Sequence, residues 1–201
     1  MRTGFENGGA VGCELFAAAL MLGAAAGTAL VASGAISGET QSALFAVVGR
    51  FGQARAQAGV IACASGAFLS AFALLLTLFV SGFCAWAAPA AFIVPFFRGM
   101  GFGCTCACLY RRSGAGVFGY TLCCLFPDLL FTGALLTVAA AQSARLSLRY
   151  FAALTGRGGR LPQREDILRY CGKFLILLTA AAVAAVLEAV IAGAYPAGAY
   201  M

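Results

Sequence analysis

The sequence predicts an all-α polytopic membrane protein: a five-transmembrane-helix bundle with a short outer amphipathic helix, forming a single integral membrane domain over residues 1–201. Three observations lead there. Hydrophobic residues make up 62% of the chain and charged residues only 10%, whereas a water-soluble domain is about half apolar and about a quarter charged. Mean hydropathy is +0.94. Several stretches are long enough to cross the roughly 30 Å of hydrocarbon in a bilayer, which takes about 20 apolar residues of helix. So few charges cannot cover a surface in water. The same composition excludes disorder, because disordered chains are poor in apolar residues.

The first span runs from Leu15 to about Ser33 and holds no charge. A polar segment follows from Gly34 to about Gln57. From Ala58 to Tyr110 the chain is apolar with one charge, Arg98, which is far too long for one helix. It divides near Ala87, Ala88 and Pro89 into spans at about Gly66–Trp86 and Ala90–Tyr110, closed by Arg111 and Arg112. A re-entrant hairpin at Pro89 is the alternative. The fourth span covers about Val117–Gln142 and the fifth about Phe174–Tyr195, joined by a basic inner loop from Arg145 to Lys173. The first fourteen residues, with Arg2, Glu6 and Glu14, make a poor signal-peptide n-region, so an uncleaved anchor is expected.

Basic residues choose the orientation. With the N-terminus inside, the inner segments carry Arg2, Arg145, Arg149, Arg157, Arg160, Arg164, Arg169 and Lys173, against Arg50, Arg55, Arg111 and Arg112 outside. The expectation is a cytoplasmic N-terminus and an extracytoplasmic C-terminus.

In the outer segment, Leu44, Val48 and Phe51 recur at i, i+4 and i+7. They read as a short amphipathic helix that docks a partner, lies on the leaflet, or packs as a lid on the bundle. In the inner loop, Thr155-Gly156-Arg157-Gly158-Gly159-Arg160 is a flexible break. After it Pro162 suits a first helical turn, with Glu165 and Asp166 near the positive end of the helix dipole. The net charge of +6 sits beside apolar stretches, a pattern suited to anionic lipid headgroups. Nucleic acid is not expected as a partner, since the loop offers only Tyr150 and Tyr170 for stacking.

Histidine is absent and acidic residues number seven, so no catalytic constellation is expected and the chain reads as a non-enzyme. A charge inside the bilayer is costly and calls for a partner or a role. Arg98, Asp128 and Glu188 are those charges. At about 1.5 Å rise per residue, Arg98 and Asp128 fall at comparable depth in their spans and are expected to pair, with Glu188 on an interior face or near the outer headgroups. Such a pair can set helix register or line an ion or proton pathway; single charges can also snorkel. Gly23 and Gly27 in the first span, and Gly99 and Gly103 in the third, form small-xxx-small faces for close helix packing. Gly101 adds to the slim surface of the third span. The nine cysteines are read as small hydrophobes. No metal or cofactor is expected, although Cys104, Cys108 and Cys123 could in principle share an ion.

Gly23-x3-Gly27, Phe96-Phe97-Arg98-Gly99-x3-Gly103 and Leu125-Phe126-Pro127-Asp128-Leu129 occur in this order. A small-residue run into an arginine-rich stretch, Gly133–Arg149, follows, and the last span carries Leu187-Glu188-Ala189. From about Leu20 to Ile191 this ordered set resembles the stage II sporulation protein M family, whose members commonly carry an amide or histidine where Asp128 stands. The resemblance implies a non-enzymatic membrane scaffold. It would recruit the peptidoglycan-degrading stage II sporulation proteins D and P during engulfment in endospore formation. A small transporter or channel using Arg98, Asp128 and Glu188 as an ion or proton pathway is the competing expectation. The sequence offers it little support, having no two-fold internal repeat.

Overall fold

The computed structural model describes residues 8–34, 60–84, 88–114, 119, 121, 125–155 and 163–194. Five α-helices carry them: α1 (Gly8–Ala32), α2 (Val60–Ser81), α3 (Ala88–Ser113), α4 (Phe126–Leu154) and α5 (Arg164–Ala194). There is no strand among the described residues. All five helices are long and apolar enough to cross a membrane, so the chain is a multi-pass membrane protein. The outer segment with Leu44, Val48 and Phe51 lies outside the described residues.

Lipid offers no hydrogen bonds, so every backbone group in a span must bond within its own helix. Side-chain hydroxyls meet the same demand locally. Thr28, Ser65, Thr77 and Thr179, all on the bundle's outer surface, donate back to the carbonyls of Ala25, Ala62, Ala73 and Ile176 at 2.8–3.0 Å. That pattern lets a polar residue face hydrocarbon. Large apolar side chains such as Met21, Leu69, Leu175 and Val183 complete the lipid-facing surface.

Between apolar helices in lipid there is little hydrophobic drive, and association depends on close contact. The parallel pair α1 and α3 has the closest contact in the bundle. A Cβ added at Gly23 would overlap the Phe96 carbonyl, and one at Gly27 the Met100 carbonyl. Conversely, Cβ atoms at Gly99 and Gly103 would overlap the carbonyls of Leu20 and Ala24. The two Gly-x3-Gly faces therefore press on each other, backbone to backbone. At the far end Arg111 Nη1 of α3 donates to the Val31 carbonyl of α1 at 2.9 Å, satisfying an orphan acceptor of the last turn. Both helices then stop at glycines in the left-handed region, Gly34 at φ 65° and Gly114 at φ 64°, the usual helix-ending conformation.

Helix α4 is the hub. Half of its membrane window is buried, against 22% for α2 and for α5, and it touches all four other helices. Its inward face is mostly small residues, with Ala139 and Ala140 fully buried and Leu136 nearly so. The C-terminal end of α2 is tied to it. Ser143 and Ser81 hydroxyls lie 2.9 Å apart, and Ser147 donates to the Cys84 carbonyl at 2.7 Å. From α5, Tyr170 donates to the Phe79 carbonyl at 3.0 Å, while its ring stacks on Phe79 and meets Phe83 and Phe174. These bonds serve carbonyls that the end of α2 leaves without helical partners.

Two boundaries differ from the sequence expectation. The expected inner loop, Arg145–Lys173, is largely helix: α4 continues to Leu154 and α5 begins at Arg164. Arginine, leucine and alanine favour helix as readily as the preceding apolar run, so positive charge ends the hydropathy window without ending the helix. The two helices therefore extend, at their connected ends, past the expected fourth span, Val117–Gln142, and fifth span, Phe174–Tyr195. Helix α2 ends at Ser81 and α3 begins at Ala88, with Pro89 in its first turn, and each is long enough to cross alone.

Gly99→Ala is expected to destabilise the bundle by about 1–3 kcal/mol through overpacking. Gly101→Ala, whose Cβ would meet nothing within 4 Å, should be neutral or stabilising by up to about 1 kcal/mol. Unfolding of the two variants in detergent checks this; equal losses would count against the backbone contact.

Candidate intramembrane charge site

The α1–α3 contact orients the site. With Gly99 pressed on Leu20, the neighbouring Arg98 is turned away from α1 and towards α2 and α4. Its Nη2 donates to Asp128 Oδ2 at 2.8 Å. The expected pairing is therefore present. The same Nη2 stands 3.4 Å from the Thr132 hydroxyl. Thr132 Oγ1 donates to the Asp128 carbonyl at 2.5 Å and lies 3.4 Å from Asp128 Oδ1, closing a small ring of polar atoms one turn deep.

Pro127 explains why Asp128 stands where it does. Proline removes an amide donor and crowds the carbonyl four residues back. The described residues ahead of it, Thr121 and Leu125, take the wider π-helical turn, a feature common near functional sites. Leu125 keeps right-handed helical backbone, φ −85° and ψ −38°, so the regular α-helix starts at Phe126. Asp128 consequently lies in the first regular turn of α4, not mid-helix as the span Val117–Gln142 implied. Its counter-charge there is the Arg98 guanidinium.

Two recesses flank the ion pair. One is lined by Ser70, Ala71, Leu75, Arg98, Thr132 and Ala181 among others, the second by Pro127, Asp128, Thr132, Ala184, Leu187 and Glu188. Each has a volume of about 10 Å³, the room one water molecule needs. Neither admits an organic substrate. The second brings Glu188, half-buried on α5, to the same recess as Asp128, so Asp128 of α4 is paired with Arg98 of α3 and shares a recess with Glu188 of α5. Arg98 Nε is buried without a hydrogen-bond partner.

The cysteines of α3 take packing positions. Cys106 and Cys108 are buried, and Cys104 Sγ lies 3.5 Å from the Gly27 carbonyl in the α1–α3 contact. Among the described residues no group of three metal-binding side chains converges; Cys123 lies outside those residues. Sequence reasoning did not find Thr132, Ser143, Ser147 or Tyr170. Ser143 and Ser147 had a readable signal, two small hydroxyls at i, i+4 in an apolar helix. Tyr170 had none, because its partners are backbone carbonyls. No protein-family model, curated protein or solved structure matches the chain.

Replacing Asp128 with Leu leaves the Arg98 charge without its counter-ion in the bilayer, an expected loss of about 3–5 kcal/mol. The exchanged pair Arg98→Asp with Asp128→Arg should recover much of it. Detergent unfolding of the single and exchanged variants is the check, and an exchange as damaging as either single change would argue against pairing. Thr132→Val should cost about 1 kcal/mol.

Proposed function

We propose that the chain is a non-enzymatic membrane scaffold that recruits and localises peptidoglycan-degrading enzymes during engulfment in endospore formation. One observation carries the reading. The residue sets on which the resemblance to the stage II sporulation protein M family rests have packing roles: Gly23 and Gly27 meet the face of Gly99 and Gly103, and Arg98 meets Asp128. Such residues build a rigid bundle. The recesses beside the ion pair, at about 10 Å³, suit a structural element better than a reactive pocket. In this reading the segment Gly34–Gln57, with Leu44, Val48 and Phe51, presents the docking face outside the membrane. The N-terminus is cytoplasmic and the C-terminus extracytoplasmic, and the partners are the stage II sporulation proteins D and P.

The affinity-tagged full chain, solubilised from sporulating host cells, should retain those two proteins, and deletion of Gln41–Gln57 should release them. If neither is retained by the intact chain, the scaffold reading fails.

The shared recess of Asp128 and Glu188 favours a second reading, an ion or proton pathway. The scaffold reading expects no flux in liposomes reconstituted with the full chain. A proton or cation flux abolished by Asp128→Asn would favour the pathway instead.

A further inference from the structure

The Arg98–Asp128 pair stands deep in the membrane, and protein atoms do not enclose it. Arg98 is nine residues into the 23-residue span Pro89–Arg111, about 14 Å from the N-terminal end of that span at 1.5 Å per residue. There the side chains of Arg98 and Asp128 are 28% and 19% exposed. Hydrocarbon offers no hydrogen bond, so a charged side chain far from both surfaces faces polar protein atoms or water. The guanidinium is only partly served by protein. Its Nη2 donates to Asp128 and stands beside Thr132. Nε, also a donor, is buried without a hydrogen-bond partner among the described residues.

The recess on the α2 side of the pair has the composition this donor lacks. Three polar residues line it, Ser70 of α2, Arg98 of α3 and Thr132 of α4, and Leu75, Leu136 and Ala181 form much of the remaining wall. Its volume is about 10 Å³, close to the minimum for one water molecule, which also needs two to four polar partners to stay. Thr132 already donates to the Asp128 carbonyl, and its hydroxyl oxygen keeps the capacity to accept. A serine hydroxyl accepts as well as donates.

We propose that this recess is a binding site for one structural water molecule, which accepts from Arg98 Nε and donates to the hydroxyls of Thr132 and Ser70. Size and charge select the occupant. The volume excludes an organic molecule, Arg98 repels a cation, and Asp128 beside it repels an anion. A small neutral molecule that both donates and accepts meets all three demands. The water gives α2 a polar tie that its own contacts place elsewhere. Ser81, Cys84 and Phe79 bond to α4 and α5 at the C-terminal end of α2, whereas Ser70 stands eleven residues before Ser81, about 16 Å along the helix. Through the water, α2, α3 and α4 are joined at the depth of the ion pair. The site stands whether the chain recruits hydrolases or conducts ions.

The test is hydroxyl-radical footprinting of the full chain in lipid nanodiscs, read residue by residue by mass spectrometry, because radicals formed from a bound water oxidise the side chains beside it. Leu75 and Leu136 line the recess at 4% and 2% exposure and should be oxidised. Leu129, more exposed at 8% but outside both recesses, and the fully buried Leu78 should not be. Ala181→Val, which fills the recess, should bring Leu75 and Leu136 down to the level of Leu129. Ser70→Ala should shift the unfolding equilibrium about fivefold towards the unfolded chain, as expected for one lost hydrogen bond. Ser65→Ala, whose hydroxyl serves the Ala62 carbonyl of its own helix, should shift it by less than about twofold. Leu75 and Leu136 as unreactive as Leu129 would mark a dry recess and overturn the proposal. Equal oxidation of all four leucines would overturn it too, by marking bulk water in a loosened bundle, and equal effects of the two serine variants would remove the tie to α2.

Discussion

Contact between the backbones of α1 and α3 is what the rest of the bundle depends on. In hydrocarbon, leucine gains nothing by leaving lipid for a neighbouring helix, so cohesion must come from atoms brought unusually close. Gly23, Gly27, Gly99 and Gly103 remove the side chains that would hold the helices apart, and the approach of each α-carbon to a facing carbonyl permits weak Cα–H···O bonds. The geometry then propagates. With Gly99 against α1, Arg98 on the adjacent position is carried about 100° round α3, off the α1 face. That is where α4 presents Asp128 and Thr132.

Helix α4 converts this paired unit into a bundle. Alanines on its inner face allow four neighbours to approach, while Ser143 and Ser147 reach the end of α2. Tyr170 completes that end from α5, donating to the Phe79 carbonyl and burying its ring among phenylalanines. These hydroxyls serve acceptors that lipid cannot satisfy, which is why the contacts cluster at the end of α2.

Much of this could be read from residues alone, for identifiable reasons. Span number followed from hydropathy, because the cost of burying charge in lipid is large. The glycine faces followed from i, i+4 spacing, and the meeting of Arg98 with Asp128 from equal depth arithmetic. Spacing did not say that Gly23 and Gly27 face Gly99 and Gly103, since pairing between helices is a tertiary choice. It also grouped Gly101 with its neighbours, although its side of α3 is open. Helix ends were misplaced where Arg145 and Arg149 stopped the hydropathy signal but not the hydrogen-bond ladder. Asp128 was placed mid-span for a related reason: Pro127 shifts the start of the regular helix without altering hydropathy.

The division of labour between glycines and charges has a further consequence. A Gly-x3-Gly face repeats every turn, so sliding α1 along α3 by four residues, about 6 Å, would set small residues against small residues again. Close packing alone therefore tolerates several registers. Directional contacts do not. A one-turn slip would carry the Val31 carbonyl away from Arg111, and a slip of α3 against α4 would separate Arg98 from Asp128 and Thr132. A buried polar contact that specifies register at some cost in stability is familiar from coiled coils. In this bundle the glycines supply proximity, and the arginines on either side of Gly103 select one register from those that proximity allows.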